Sequence, residues 1–293
     1  MLTAVRISTL TLGIVMLVPL FPAAGFAEPQ SGPLELTSLL GTKLYGLAGD
    51  EKLSAAQTKL AADPKNVDLI VALSKAQAAR RQYKEAVATD TAGLTVAPAN
   101  GALLLERGHY ELGLRDFAAA KRDLERAAEL TPDVSEVFYH LGLAHFFLGE
   151  FAEAGAAFAK ARELSKNDDG LISSSNWLYV SLLRAGKASE AEEVLARITP
   201  EVKNSDAHDV FYLRLLHFYQ GKTTQAEVLP PPPQGDDLEA ELAFDTTAFG
   251  VGNWDLAHHQ AKRAKQLFSK ILAGQAWNTF GFVGSEVELK RLR

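Results

Sequence analysis

The chain of 293 residues contains no cysteine, and this absence excludes several kinds of chemistry. A chain without thiols has no disulfides, no thiolate metal sites, no cysteine nucleophile and no acylated cysteine, so it is not a lipoprotein. An excess of basic charge is also missing, since 30 Lys and Arg stand against 36 Asp and Glu, a formal net charge of -6. This balance argues against nucleic acid as a partner.

Long hydrophobic runs are absent beyond the amino terminus. There, Arg6 precedes an apolar stretch over residues 7–21, which is too short to span a bilayer comfortably. Gly25 and Ala27 then supply the small-x-small pattern that signal peptidase recognises. We expect a Sec-type signal peptide cleaved after Ala27, and a periplasmic or secreted mature protein with no stable membrane insertion. An uncleaved anchor is the alternative.

A step of 34 residues recurs along the rest of the chain, and Pro64, Pro98 and Pro132 mark it. Where two packed helices approach most closely, only a small residue leaves room for the opposite helix. Alanines recur in phase with this step and predict six helix pairs: Ala86, Ala120, Ala154, Ala191, Ala226 and Ala264. No segment alternates with a period of two residues, so we expect no sheet.

Residues 135–168 carry the clearest copy of the pattern, with Leu141, Gly142, Gly149, Ala154 and Ala161 at its key positions. This copy resembles the tetratricopeptide repeat. The resemblance implies an all-α solenoid of antiparallel helix pairs in a right-handed superhelix, with about six repeats and capping helices at both ends. Blocks such as YHLGLAHFFLGEF and WNTFGFVGSEVEL also resemble a family of bacterial exported tetratricopeptide repeat proteins that has no assigned reaction.

The predicted organisation has five parts. Residues 1–27 are the signal peptide. Residues 28–66 contain a short N-terminal segment followed by two capping helices, over 34–47 and 51–62. Residues 67–229 form units one to five, and residues 230–237 are a proline-rich loop that stops the second helix of unit five near Leu229, because four prolines cannot continue a helix. Residues 238–293 form a sixth unit and a capping helix, in which Glu286 and Glu288 should face outward.

Motifs for catalysis and cofactor binding fail on inspection. The GKTT sequence at 221–224 lacks the first glycine of a phosphate-binding loop, because that position is Leu216. The seven histidines include no pair at i and i+4 that would suit a metal. We therefore expect neither an enzyme nor a cofactor. An enzyme with a site assembled across repeats is the alternative.

The concave surface of such an array is lined by the first helix of each pair, as the resemblance implies. At those positions the chain carries mainly aromatic residues with few polar anchors, which suits an amphipathic helix or an extended peptide. We predict an exported, non-catalytic adaptor or scaffold that binds a protein or peptide through Tyr139, Phe146, Phe147, Asn176, Arg184, Phe211, Phe218 and Tyr219. In the alternatives, these aromatics are core, or the solenoid is structural and self-associates as a homo-oligomer.

Overall fold

The computed structural model describes residues 32–204, 209–233 and 237–293, so the predicted signal peptide lies outside the described residues. Within them, a short hairpin precedes a series of helices. No helix of this described part combines the length and apolarity needed to cross a membrane. The elements are β1 Leu34–Thr37, β2 Lys43–Tyr45, α1 Glu51–Ala62, α2 Val67–Ala79, α3 Tyr83–Val96, α4 Gly101–Gly113, α5 Phe117–Leu130, α6 Ser135–Leu148, α7 Phe151–Leu164, α8 Asp168–Arg184, α9 Ala188–Leu195, α10 Asp209–Tyr219, α11 Gln225–Val228, α12 Leu238–Ala257, α13 Ala261–Ile271 and α14 Phe280–Arg291.

Residues 34–47 form an antiparallel hairpin of β1 and β2 rather than the predicted capping helix. The turn between the strands explains why this segment forms a hairpin and not a helix. Gly41 has a φ of +97°, and the Ser38 hydroxyl accepts hydrogen bonds from the backbone N–H groups of Leu40 and Thr42 at 3.2 and 3.1 Å. Such local turn bonds compete with helix formation. The predictions of a helix here and of no sheet were therefore wrong, whereas the second capping helix is confirmed as α1.

Six helix pairs follow, from α2/α3 to α12/α13, and we number them as units one to six. The turn inside each pair contains one residue with a left-handed backbone. In units three to five it is Gly149, Gly186 or Gly221, and in the other units it is Arg81, Arg115 or His259, with φ values between +54° and +87°. The prediction of an all-α array of about six antiparallel helix pairs is confirmed, and the hand of the superhelix stays a prediction.

The alanines predicted to sit at the close approach of paired helices are fully buried in five units: Ala86, Ala120, Ala154, Ala191 and Ala264. Unit five differs, because its second helix, α11, has only four residues and ends at Val228, just before the prolines. The predicted early stop near Leu229 is confirmed. The predicted packing of Ala226 was wrong, since Ala226 is exposed and Val228 is the buried residue of α11.

The first helices of successive units pack on one another, and α12 also packs on α8. We call the surface of α4, α6, α8, α10 and α12 the inner face, and residues 275–293 the C-terminal segment. This segment packs on α12 and α13, as a cap would. It also reaches back to the hairpin and to unit one: Trp277 donates from its indole nitrogen to the Tyr45 carbonyl of β2 at 2.9 Å, and Arg81 of unit one donates to the Gln275 carbonyl at 3.0 Å. The C-terminal segment therefore crosses the inner face.

Candidate functional site

The predicted groove is not open in the structure, because most of its aromatic residues are covered. Phe146 is fully buried, and its ring meets those of Trp177 and Phe249. Phe147 is 3% exposed and lies near Phe280 of the C-terminal segment. The apolar residues of the inner face are thus covered by α12 and by the segment that follows it. In this conformation they belong to the core, and their part in binding a partner stays a prediction.

The remaining predicted residues are spread over several places. Tyr139, at the start of the inner face, is half-buried with its ring edge toward Phe158. Phe218 and Tyr219 lie at the junction of units four to six, where Phe218 contacts Trp254 and Tyr219 stacks on Tyr179 with ring centroids 4.4 Å apart. Phe211 is half-buried and lines a cavity described below. Arg184 contacts Asn253 and Glu288 in the C-terminal half of the chain, and Asn176 lines a second cavity described below.

Arg115 ties unit two to the C-terminal segment. Its Nε donates to Glu286 Oε2 at 2.8 Å and its Nη2 donates to the Trp277 carbonyl at 3.0 Å, and the side chains of both partners in the ion pair are no more than 3% exposed. Arg115 has a φ of +66°, a conformation that costs a residue other than glycine about 1–2 kcal/mol. Arg81 occupies the matching turn of unit one. Sequence reasoning missed both arginines, although each stands where units three to five have the turn glycine.

Arg184 makes the second charged contact, from the end of α8. Its Nη2 donates to Glu288 Oε2 at 3.0 Å, its Nη1 donates to Asn253 Oδ1 at 2.6 Å, and its guanidinium lies 4.4 Å from the centroid of Phe151. Glu286 and Glu288 are each 1% exposed, so the prediction that they face outward was wrong. A buried carboxylate needs a cation: Arg115 supplies it for Glu286, and Arg184 supplies it for Glu288 together with Arg291 of α14.

A cavity of about 320 Å³ remains between the inner face and the start of the C-terminal segment. Asn176 and Trp177 of α8 line one side, and Asn278 and Thr279 line another. Three polar atoms have no hydrogen-bond partner among the described residues: Asn176 Oδ1, Trp177 Nε1 and Asn278 Oδ1. A neighbouring cavity, lined by Phe211, shares the wall formed by Asn278 and Thr279.

Two histidines that lie in different units by sequence meet in the structure. The rings of His109 and His140 have centroids 4.5 Å apart. Burial lowers the pKa of both imidazoles, that of His109 to well below its ordinary value, so both are neutral near pH 7. Among the described residues, no group of three or more His, Asp or Glu could hold a metal ion. The pair therefore packs against Phe280 and gives no indication of a metal centre.

Comparisons with known proteins agree with this architecture. Residues 105–169, which run from unit two to the start of unit four, match the model of the tetratricopeptide repeat family. A segment of 90 residues is 32% identical to the Hsp70-Hsp90 organizing protein of Triticum aestivum, and one of 117 residues is 29% identical to the heat-shock protein cognate co-chaperone sgt12 of Aspergillus fumigatus. These matches cover 31% and 40% of this chain but only 16% and 34% of those relatives.

Solved structures with a similar course of the chain share little sequence with it. A tetratricopeptide repeat protein from Parabacteroides merdae has a TM-score of 0.49 and 21% identity, over 82% of this chain and 90% of that one. YrrB, a tetratricopeptide repeat protein with an unusual peptide-binding site, has a TM-score of 0.47 and 17% identity, over 72% of this chain and 99% of that one.

Proposed function

Because this chain is a tetratricopeptide repeat protein, we propose that it is a non-catalytic adaptor whose inner face binds a helix of a protein partner that carries two carboxylates among apolar side chains. One observation carries the proposal: the inner face holds a helix of this kind, its own α14. Arg115 and Arg184 flank that helix and pair with its two buried glutamates. A helix-in-groove contact of apolar anchors and charged pairs is a recurring mode of peptide recognition.

The contacts of α14 describe the partner that would fit. An aromatic side chain in the place of Phe280 would lie near His109 and Phe147. Two carboxylates would pair with the arginines on either side of the helix. The partner must displace a helix that is tethered to the same chain, and tethering raises the effective concentration of α14 at this surface. We therefore expect weak capture by the closed protein and stronger capture when α14 is loosened.

The names of the relatives support the same class of function. One relative is named an Hsp70-Hsp90 organizing protein and the other a co-chaperone, so both names describe proteins that work with other proteins. Residues 105–169 match the tetratricopeptide repeat model, and stacked helix pairs of this kind provide an extended binding surface. This supports an adaptor that binds proteins.

The test uses a fluorescent peptide of residues 277–293, which contains α14 with both of its glutamates, added to the full chain. Glu288→Gln keeps the shape of the side chain but weakens the tie of α14 to Arg184, so this variant should bind the peptide about tenfold more tightly than the unmodified protein. Arg184→Ala in addition should remove the gain. Glu163→Gln is the matched control, because it breaks an exposed ion pair with Lys160 on the outer helix α7.

Equal peptide affinity in Glu288→Gln, in the unmodified protein and in the Glu163→Gln control would overturn the proposal. Circular dichroism of each variant checks that the helices are intact, so that a lost signal is not taken for lost binding.

We also propose that the adaptor acts outside the cytoplasm, on the basis of the sequence of residues 1–27. The mature protein isolated from its native source should then begin at or near Glu28. N-terminal sequencing that finds Met1 retained would contradict the proposed cleavage.

A further inference from the structure

The exposed side of α13 and of the end of α14 differs in charge from the rest of the chain. Residues 256–293 contain seven Lys and Arg against two Asp and Glu, and these two are the buried Glu286 and Glu288. The other residues of the chain contain 23 Lys and Arg against 34 Asp and Glu. An exposed excess of positive charge is therefore concentrated in one region of a chain that is acidic overall.

The basic side chains of this region lie next to one another. Three lysines of α13 line a shallow depression on the side of the helix that faces solvent, with Gln266 and Ser269 between them. Lys265 of this set donates to the Leu292 carbonyl at 2.7 Å, so the end of α14 lies beside the depression. We call the exposed basic residues of this region that have no carboxylate partner the basic surface: Lys262, Lys265, Lys270, Lys290 and Arg293.

The basic surface contains charges that the chain itself does not neutralise. Its five side chains form no ion pair with a carboxylate of the described residues, unlike the neighbouring Arg263, which pairs with the buried Asp255. On the outer helices α7 and α9, Lys160 and Lys187 each pair with a glutamate three positions further along. Residues 256–285 contain no Asp or Glu that could do the same on α13. Like charges on one face repel one another, and an anionic partner would relieve that repulsion.

The basic surface also lacks the apolar anchors of a protein interface. Stable protein interfaces have a core of apolar or aromatic side chains that supply most of the binding energy. Among the described residues, the large apolar side chains that are exposed lie elsewhere: Leu34, Val96, Leu148 and Leu238. Attraction at the basic surface is therefore electrostatic, which favours a partner that presents many closely spaced negative charges.

We infer that the basic surface binds the headgroups of an anionic lipid bilayer. Each Lys or Arg close to such a bilayer strengthens binding about fivefold. Because no large apolar side chain is exposed at the basic surface, the protein lies on the headgroups without entering the hydrocarbon. α13 is the outer helix of its pair, so this contact leaves the inner face free. The inference goes beyond the adaptor role and does not depend on it.

Cosedimentation of the full chain with lipid vesicles tests the inference. We expect binding to vesicles with about one third phosphatidylglycerol and none to vesicles of phosphatidylcholine alone, which carry no net charge. Raising the NaCl concentration from about 0.05 to about 0.5 M should release the protein, because salt screens charges that face water. The triple variant Lys262→Glu, Lys270→Glu, Lys290→Glu should bind at least about a hundredfold more weakly. All three side chains are exposed, so the helices should stay intact, which circular dichroism checks.

The triple variant Lys52→Glu, Lys59→Glu, Lys65→Glu is the matched control. It changes the net charge by the same amount, at exposed positions on α1 and just after it. If the basic surface makes the contact, the control should bind the anionic vesicles far more tightly than the first triple variant does.

Three results would overturn the inference. The first is the absence of binding to anionic vesicles at about 0.05 M NaCl, where screening is weak. The second is an equal loss of binding in both triple variants, which would mean that only the net charge matters. The third is binding of a polyglutamate peptide, but not of vesicles, that the first triple variant abolishes, which would mean that the basic surface binds an acidic protein.

Discussion

The contacts inside a helix pair and the contacts of the C-terminal segment are built from different residues. Inside a pair, small apolar side chains such as Ala120 and Ala154 lie fully buried where the helices meet. Between the inner face and the C-terminal segment, the buried groups include two ion pairs, Arg115 with Glu286 and Arg184 with Glu288.

The difference shows which contact can be exchanged for another. The alanines fit a particular helix spacing, and a substitute chain would have to reproduce that spacing. A buried arginine requires only a carboxylate in the right place, from whichever chain provides it. The pairs of helices thus form the permanent framework, while the contact of the inner face with the C-terminal segment is the one that the proposed partner would replace.

Breaking the Arg115–Glu286 pair should have the largest effect. Arg115→Ala leaves Glu286, 1% exposed, without its cation, and the loss of one partner from a buried pair costs about 3–5 kcal/mol. Alanine keeps the same left-handed backbone strain, so the change reports on the ion pair. Urea denaturation followed by circular dichroism measures the free energy of unfolding. Lys160→Ala, which breaks an exposed pair, should change it by less than about 0.5 kcal/mol. An equally small change in the free energy of unfolding of both variants would contradict a stabilising role for the Arg115–Glu286 pair.

The second prediction concerns Asp245, which lies on α12 and accepts a hydrogen bond from the Thr279 hydroxyl at 2.7 Å. Burial raises the pKa of Asp245 from 3.8 to about 7. Between these two values the folded protein binds the proton more tightly than the unfolded chain, so stability falls as pH rises from about 4 to about 7 and the full cost remains above that.

Asp245→Asn should therefore stabilise the protein by about 4 kcal/mol at pH 8, with a gain that shrinks toward pH 4. Thermal and urea unfolding at pH 5, 6, 7 and 8 would measure the gain. A gain that is the same at every pH would show that ionisation of this carboxyl is not its cause.

The third prediction tests the contacts between small apolar side chains inside a helix pair. Ala154→Leu adds bulk where α6 and α7 approach most closely, and overpacking of this kind costs about 1–3 kcal/mol. Ala226→Leu is the matched control, because it changes the same repeat position in unit five, where the residue is exposed. Melting curves should show a lower midpoint for Ala154→Leu only. Equal midpoints for both variants would mean that the contact between α6 and α7 tolerates larger side chains.

Much of the framework could be predicted because its signals are local. The 34-residue step placed the helix pairs, and the prolines after Leu229 placed the end of α11. The hairpin at 34–47 was missed because Ser38 and Gly41 favour a turn inside an apparently helical pattern. The prediction for Ala226 failed for a related reason, since a four-residue helix has no length over which to pack.

The candidate site was predictable only in part. The spacing of the repeat selected Asn176, which lines the cavity, and Arg184, which holds α14. It also selected Phe146 and Phe147, but it could not indicate that the chain itself covers them. An amphipathic pattern shows which side of a helix is apolar without showing which surface that side will meet.

The sequence by itself therefore determined the helix pairs, their number and their turns, since these depend on residues a few positions apart or one repeat apart. Only the tertiary structure decided that the C-terminal segment crosses the inner face, that Glu286 and Glu288 are buried and that a cavity remains beneath the segment. Arg115 and Glu286 are 171 positions apart and Arg184 and Glu288 are 104 apart. No local pattern joins residues at such separations, because their contact depends on the curvature that all six units accumulate together.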